Sequence, residues 1–363
     1  HAYLIVFDPT SPLRAWPTYP IPAYYTMALF QMLLNPFSPP IPLEISGHLA
    51  LTAWVTNPSV FRQLFCFKVW YLLFDLGTAY LLWRVFRHDR RKVRAILLFW
   101  IFNPVIIYNA YLHGQFDVVP VFFTVLALYF AQKGRSNWTI LFIVVAAGYK
   151  VYPLFFLPPA LLILYRSWRK RAKLLLLGIV PFLLLLLPHL AEHNLNVSIY
   201  EDWFFRVSYD VGFGGQVYIF FAIYAALLWY IEHTQVEGSE ALGRVFFITL
   251  LIYYPLSYFD LHYWAWIVPF AAIYWVEYKP PYVVILACLL VLTAPTPLAR
   301  FLAPISPRFF LRLPSLLEAL NPYLPALFLI NVARSLVTGT CFYLAWRLLR
   351  IEDRGLRIEG LSA

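Results

Sequence analysis

Apolar runs alternate with short basic clusters along most of this chain. Runs at 61–86, 95–112, 118–131, 138–165, 174–190, 216–232, 245–258, 263–277, 281–294 and 324–348 predict helices. A helix crosses the hydrocarbon core with about 20 apolar residues, so this alternation predicts a polytopic bundle. The run 138–165 is interrupted by Lys150 and Pro153. It starts and ends at basic loops, Lys133–Arg135 and Arg166–Lys173, so it must go out and back, with Lys150 at the far end of a hairpin. Residues 1–60 differ. They carry Pro9, Pro12, Pro17, Pro20, Pro22, Pro36, Pro39, Pro40 and Pro42 around two apolar pieces, 22–34 and 43–56. These pieces are too short to span and fit helices lying at the interface.

Composition supports a membrane protein. Only 13% of the 363 residues are charged, against about a quarter in soluble domains. The net charge of +10 raises a nucleic-acid reading. The basic residues, however, sit in short loops between apolar spans, the pattern of the positive-inside rule, and nucleic acid is excluded as a partner. The same rule makes the basic side cytoplasmic. Residues 1–60, His113–Asp117, Lys150, 191–215, Asp260–His262 and 295–323 then share the opposite side. Residues 1–60 are read as an extracytoplasmic loop, 61–350 as the transmembrane bundle and 351–363 as a cytoplasmic tail. The expected location is multi-pass in a prokaryotic plasma membrane, or in the endoplasmic reticulum membrane of a eukaryote. The sequence opens at His1, without a signal peptide, inside what reads as an extramembrane loop, so an N-terminal helix is expected to precede it.

The polar clusters on the far side are the candidate chemistry, because ionisable groups within or between membrane helices are costly. His113 and Asp117 are four apart and share a face if the helix continues through them. That face suits a metal or a sugar; the alternative is a hydrogen-bonded helix-end cap, and Gly114 allows a break. Lys150, in Ala146-Ala147-Gly148-Tyr149-Lys150-Val151-Tyr152-Pro153, suits a phosphate as a point charge or snorkels as an anchor. Asp260 and His262 read as a ligand-contacting loop or as a polar cap among interfacial aromatics. Arg308 and Arg312 fit one helical face that clamps a diphosphate or lipid phosphate, or a solvated loop. Asp8, Glu201 and Asp202 are the other far-side carboxylates open to a general-base role, each with a structural alternative. Cys66, Cys288 and Cys341 are scattered and give neither metal spacing nor a disulfide framework.

Four of these segments form a familiar series. Asn103-Pro104 followed by His113-Gly114-Gln115-Phe116-Asp117 resembles the N-P…(H/W)-G-Q-x-D segment of polyprenyl-phosphate-sugar-dependent glycosyltransferases of the GT-C superfamily. Lys150-Val151-Tyr152-Pro153 is similar to the K-x-Y-P of PIG-M-type GPI mannosyltransferases and their prokaryotic relatives. Tyr258…His262-Tyr263-Trp264-Ala265-Trp266-Ile267-Val268-Pro269 resembles their late Q/H-Y-x-x-W-x-x-P element. Trp16-Pro17-Thr18-Tyr19-Pro20 resembles the Y-P-P that closes their first extracytoplasmic loop. The resemblance covers about 16–270.

What it implies is an all-α, polytopic transmembrane bundle of GT-C type. Such an enzyme moves a sugar, a hexose such as mannose, from a polyprenyl-phosphate carrier to a lipid, glycan or protein acceptor on the extracytoplasmic face by direct inverting displacement. Asp117 and His113 become the expected catalytic residues. Gln115, Lys150, Tyr19, Asp260, His262, Arg308 and Arg312 become the expected substrate-binding residues, with Lys150 on the donor phosphate. Membrane lipids are the other expected partners. No cofactor is identified, and a divalent metal stays open. In the family a catalytic aspartate sits in the first loop; Asp8 is the carboxylate nearest that place here and does not match well. Two alternatives remain: a polytopic transporter or lipid flippase, against which the absence of a visible internal repeat speaks, and a catalytically inactive lipid-binding subunit.

Overall fold

The computed structural model describes residues 19–37, 58–191, 207–212, 215–234, 236–257, 263–278 and 326–350. Within them the chain is an all-α membrane protein with one small β-hairpin. Three helical stretches are long and apolar enough to cross a membrane: Leu64–Phe86, Arg90–Leu112 and Ser239–Leu256. Shorter apolar helices pack around them.

Helix α1 (Ile21–Leu34) turns Tyr25, Leu29, Met32 and Leu33 outward. Its other contacts run to two breaks in the bundle. Phe30 stacks on Trp70 at 4.6 Å, where α2 (Pro58–Val69) gives way to α3 (Tyr71–Phe86). Thr26 Oγ1 lies 2.9 Å from the Tyr149 hydroxyl, beside Lys150. Helix α4 (Arg90–Ile101) is started by Asp89, whose carboxylate accepts from the N–H groups of Arg91 and Lys92. An uncapped first turn would leave those donors orphaned.

At Asn103 the second span bends. Asn103 Oδ1 accepts from the N–H groups of Val105 and Ile106, and Pro104 occupies the first turn, where its missing donor costs nothing. The turn then widens into a π-helical stretch, Ile107–His113. Helices α5 (Val118–Gln132) and α6 (Ser136–Ala147) form a tight antiparallel pair, and α5 also packs closely on α3. Gly77 makes that approach possible, since a Cβ there would fall 2.7 Å from the Phe122 ring.

The chain breaks again at Gly148–Val151, as Lys150 and Pro153 predict. It resumes as a 3-10 turn, Tyr152–Phe156, and helix α7 (Leu157–Leu164). Helix α8 is Trp168–Ala191. The loop expected over 191–215 needs correction at its end. Strands β1 (Ser208–Gly212) and β2 (Gly215–Tyr218) pair antiparallel, with Tyr209 opposite Val217 and Asp210 opposite Gln216. Val207, Tyr209 and Val211 alternate with polar residues, and β-branched and aromatic residues on alternate positions favour a strand. Helices α9 (Ile219–Thr234), α10 (Ser239–Leu256) and α11 (Trp264–Tyr278) follow, then α12 (Ala326–Leu349) against α10. Helix α10 is buried on nearly every side from Ala241 to Leu256, as suits a core helix that is apolar all round. The apolar pieces 43–56 and 281–294 and the tail 351–363 lie outside the described residues.

Candidate functional site

Three chain breaks meet at one place. The first is the exit of the π-helical turn. Gly114 takes φ +81 there, a left-handed conformation that suits glycine, and the Gln115 N–H returns to the Asn109 carbonyl at 2.9 Å. The helix therefore does not continue through 113–117, and the shared helical face expected of His113 and Asp117 is not formed. The left-handed residue turns the chain out of the helix. His113 is the last residue of the turn, and its side chain lies outside what is described.

Asp117 opens α5, yet its side chain does not cap that helix. It points inward and is fully buried. Its Oδ1 accepts from the Trp266 indole N–H at 2.8 Å, and its Oδ2 accepts from the Asn109 amide at 3.2 Å. The Lys150 ammonium stands 3.2 Å from Oδ1, with the lysine side chain only 7% exposed. The helix-end cap and the snorkelling anchor are both displaced by one arrangement, a buried ion pair across two chain breaks. The third break supplies Trp266, in the first turn of α11, and Tyr263 before it.

Aromatic rings enclose the ammonium. Nζ of Lys150 lies 4.5 Å from the centre of the Tyr19 ring, 5.2 Å from Phe116 and 5.8 Å from Tyr263, at distances where ring faces attract a cation. Tyr19 donates its hydroxyl proton to Gln115 Oε1 at 3.1 Å and meets Phe116 edge-on. Tyr152 stacks on Trp266 at 4.0 Å and braces the indole that holds Asp117. Tyr19 and Gln115 are partly buried, and Asp117 and Lys150 are buried behind them.

The structure thus brings together Asp117, Gln115, Lys150 and Tyr19 from separate parts of the chain. Asp260, His262, Arg308 and Arg312 lie outside the described residues, as do Asp8, Glu201 and Asp202. Asn109 and the Lys68–Tyr71–Asp75 series went unread in the sequence. Asn109 is eight residues before Asp117 inside an apolar run; its polarity there was the available signal. Trp266 appeared only within a family-like element, and its bond to Asp117 has no signature in spacing. Among the described residues no three His, Cys, Asp or Glu side chains gather to hold a metal. Chemically, the site offers one enclosed cation whose counter-ion is fixed by two neutral donors.

The chain is similar to GPI mannosyltransferase 1 of Kluyveromyces lactis, with 26% identity over 169 residues, which are 46% of this chain and 35% of that protein. The chain thus matches only about a third of the length of that curated relative. No protein-family model matches the chain, and no solved structure matches it.

Proposed function

We propose that this chain carries the donor-binding site of a polytopic membrane glycosyltransferase of GT-C type. It would take a hexose such as mannose from a polyprenyl-phosphate carrier on the extracytoplasmic face. The observation that supports this best is the buried Lys150–Asp117 pair beside the hydrogen-bonded Tyr19 and Gln115, where three chain breaks meet. The partial likeness to a mannosyltransferase and the order of the family-like elements give it a substrate class.

The residues divide the work. Lys150 takes the donor phosphate and stabilises the charge that grows on it as the sugar leaves. Asp117 acts as a positioning residue. It is enclosed by Trp266, Asn109 and Lys150, so it holds the ammonium rather than reaching a substrate hydroxyl. Gln115 and Tyr19 face the sugar and acceptor. In the inverting step the acceptor oxygen bonds to the anomeric carbon as the bond to the phosphate oxygen breaks. The hydroxyl proton passes to a base, for which the family resemblance points to the first extracytoplasmic loop.

The test uses the full-length protein, purified and given a short-chain polyprenyl-phosphate mannose with membrane acceptor. Sugar transfer is expected. Asp117→Asn should lower it at least about tenfold per folded molecule, roughly 1.4 kcal/mol in the barrier. Donor binding without transfer would indicate a lipid-binding subunit instead. Neither binding nor transfer would sink the reading.

A further inference from the structure

A second set of polar side chains surrounds the same turn from behind, on the first span. Tyr71 and Asp75 are four apart at the start of α3 and share one face of it, and Lys68 stands just before the break at Trp70, in the last turn of α2. All three reach the π-helical turn. Lys68 Nζ donates to the carbonyls of Tyr111 and Leu112 at 3.1 and 3.0 Å. The Tyr71 hydroxyl donates to the Gly114 carbonyl at 3.0 Å. Asp75 accepts from the Tyr111 hydroxyl at 2.5 Å on one oxygen and from the Trp100 indole at 2.7 Å on the other.

A π-helical turn is rare and is frequent at functional sites. Its end leaves carbonyls without helical partners, and in a lipid setting each such group costs several kcal/mol unless another donor meets it (on the order of 2–7). Lys68 and Tyr71 meet three of these carbonyls. Asp75 fixes the Tyr111 side chain of the turn, while Trp100 fixes Asp75. Gly114 fits the arrangement closely, because a Cβ there would lie 2.9 Å from Cε of Lys68. The residues immediately beyond this braced turn are Gln115, Phe116 and Asp117.

We infer that Lys68, Tyr71 and Asp75 are positioning residues that hold the π-helical turn in the register aiming Gln115 and Asp117 into the site. The consequence for sugar transfer rests on the proposed transferase reading; the bracing itself does not. Both are testable in one experiment on the full-length protein in lipid nanodiscs. Amide hydrogen exchange over 109–117 is compared in wild type, Lys68→Met, Lys68→Arg, Tyr71→Phe and Asp75→Asn, with α5 and α6 as internal reference, and transfer is measured on the same samples. Lys68→Met is expected to speed exchange at 114–117 roughly tenfold or more, the size of a lost charged hydrogen bond. Tyr71→Phe and Asp75→Asn should speed it less, and Lys68→Arg should restore protection. Transfer should fall in the same order through kcat and recover in Lys68→Arg. Unchanged exchange, or equal loosening of α5 and α6, overturns the inference. Faster exchange with undiminished transfer overturns the positioning role. Faster exchange in a protein that transfers no sugar, wild type included, leaves the bracing standing and refutes the transferase reading instead.

Discussion

Replacing Lys150 with methionine isolates the buried pair. Methionine keeps most of the apolar stem and removes the ammonium, so the Tyr19, Phe116 and Tyr263 rings lose little packing. What is stranded is Asp117, fully buried and left with the Trp266 and Asn109 donors alone. At the observed 3.2 Å, two unit charges attract by about 5 kcal/mol at an effective dielectric of roughly 20. Relaxation offsets part of this, and removing one partner of a buried pair costs about 3–5 kcal/mol in measured cases. Lys150→Met should therefore lower the unfolding free energy by about 3–5 kcal/mol. Most of that is the isolated charge, so Lys150→Met/Asp117→Asn should recover at least about 2 kcal/mol. The assay is equilibrium unfolding in mixed micelles for wild type, both single variants and the double variant. A Lys150→Met protein as stable as wild type, or a double variant no better than Lys150→Met, would refute the reasoning, since the two groups would then be solvated separately.

Gly114→Ala should destabilise the turn by about 1–2 kcal/mol, the cost of a left-handed L-residue, with more where Lys68 must move; thermal melting checks it, and an unchanged melt contradicts the observed φ. Asp89, outside the membrane spans, is held below its ordinary value of 3.8, chiefly by the Lys92 N–H. A folded value below the unfolded one stabilises above the unfolded value and is lost as pH falls through the folded one. Asp89→Ala should thus destabilise the start of α4 at neutral pH and flatten the loss of stability below about pH 4; an acid limb identical to wild type would contradict this.

Much of the helix layout was legible because apolar runs end at basic residues: 118–131 became Val118–Gln132, and 174–190 lies within Trp168–Ala191. The break at Lys150 was legible too, because Lys150 and Pro153 interrupt the apolar run. Other features were hidden for physical reasons. The break at Trp70 and the π-helical turn depend on tertiary bonds from Phe30, Lys68 and Tyr71, and a single sequence carries no trace of those pairings. The pattern singled out Asp117 and Lys150 one by one but did not join them, since they stand 33 positions apart with two helices between them. Lys68 and Asp75 are polar residues within an apolar run, and that polarity was the usable signal. The hairpin at 208–218 was missed because its alternation is short and both glycine ends read as loop.

The most direct test of the account is to ask where a lipid-linked sugar sits. A photoreactive polyprenyl-phosphate sugar analogue would be crosslinked to the full-length protein in nanodiscs, competed with unlabelled donor, and mapped by mass spectrometry. The account predicts competed labelling in peptides containing Gln115–Asp117, Lys150 and Tyr263–Trp266. Competed labelling confined to other segments, or labelling that unlabelled donor does not displace, would contradict it.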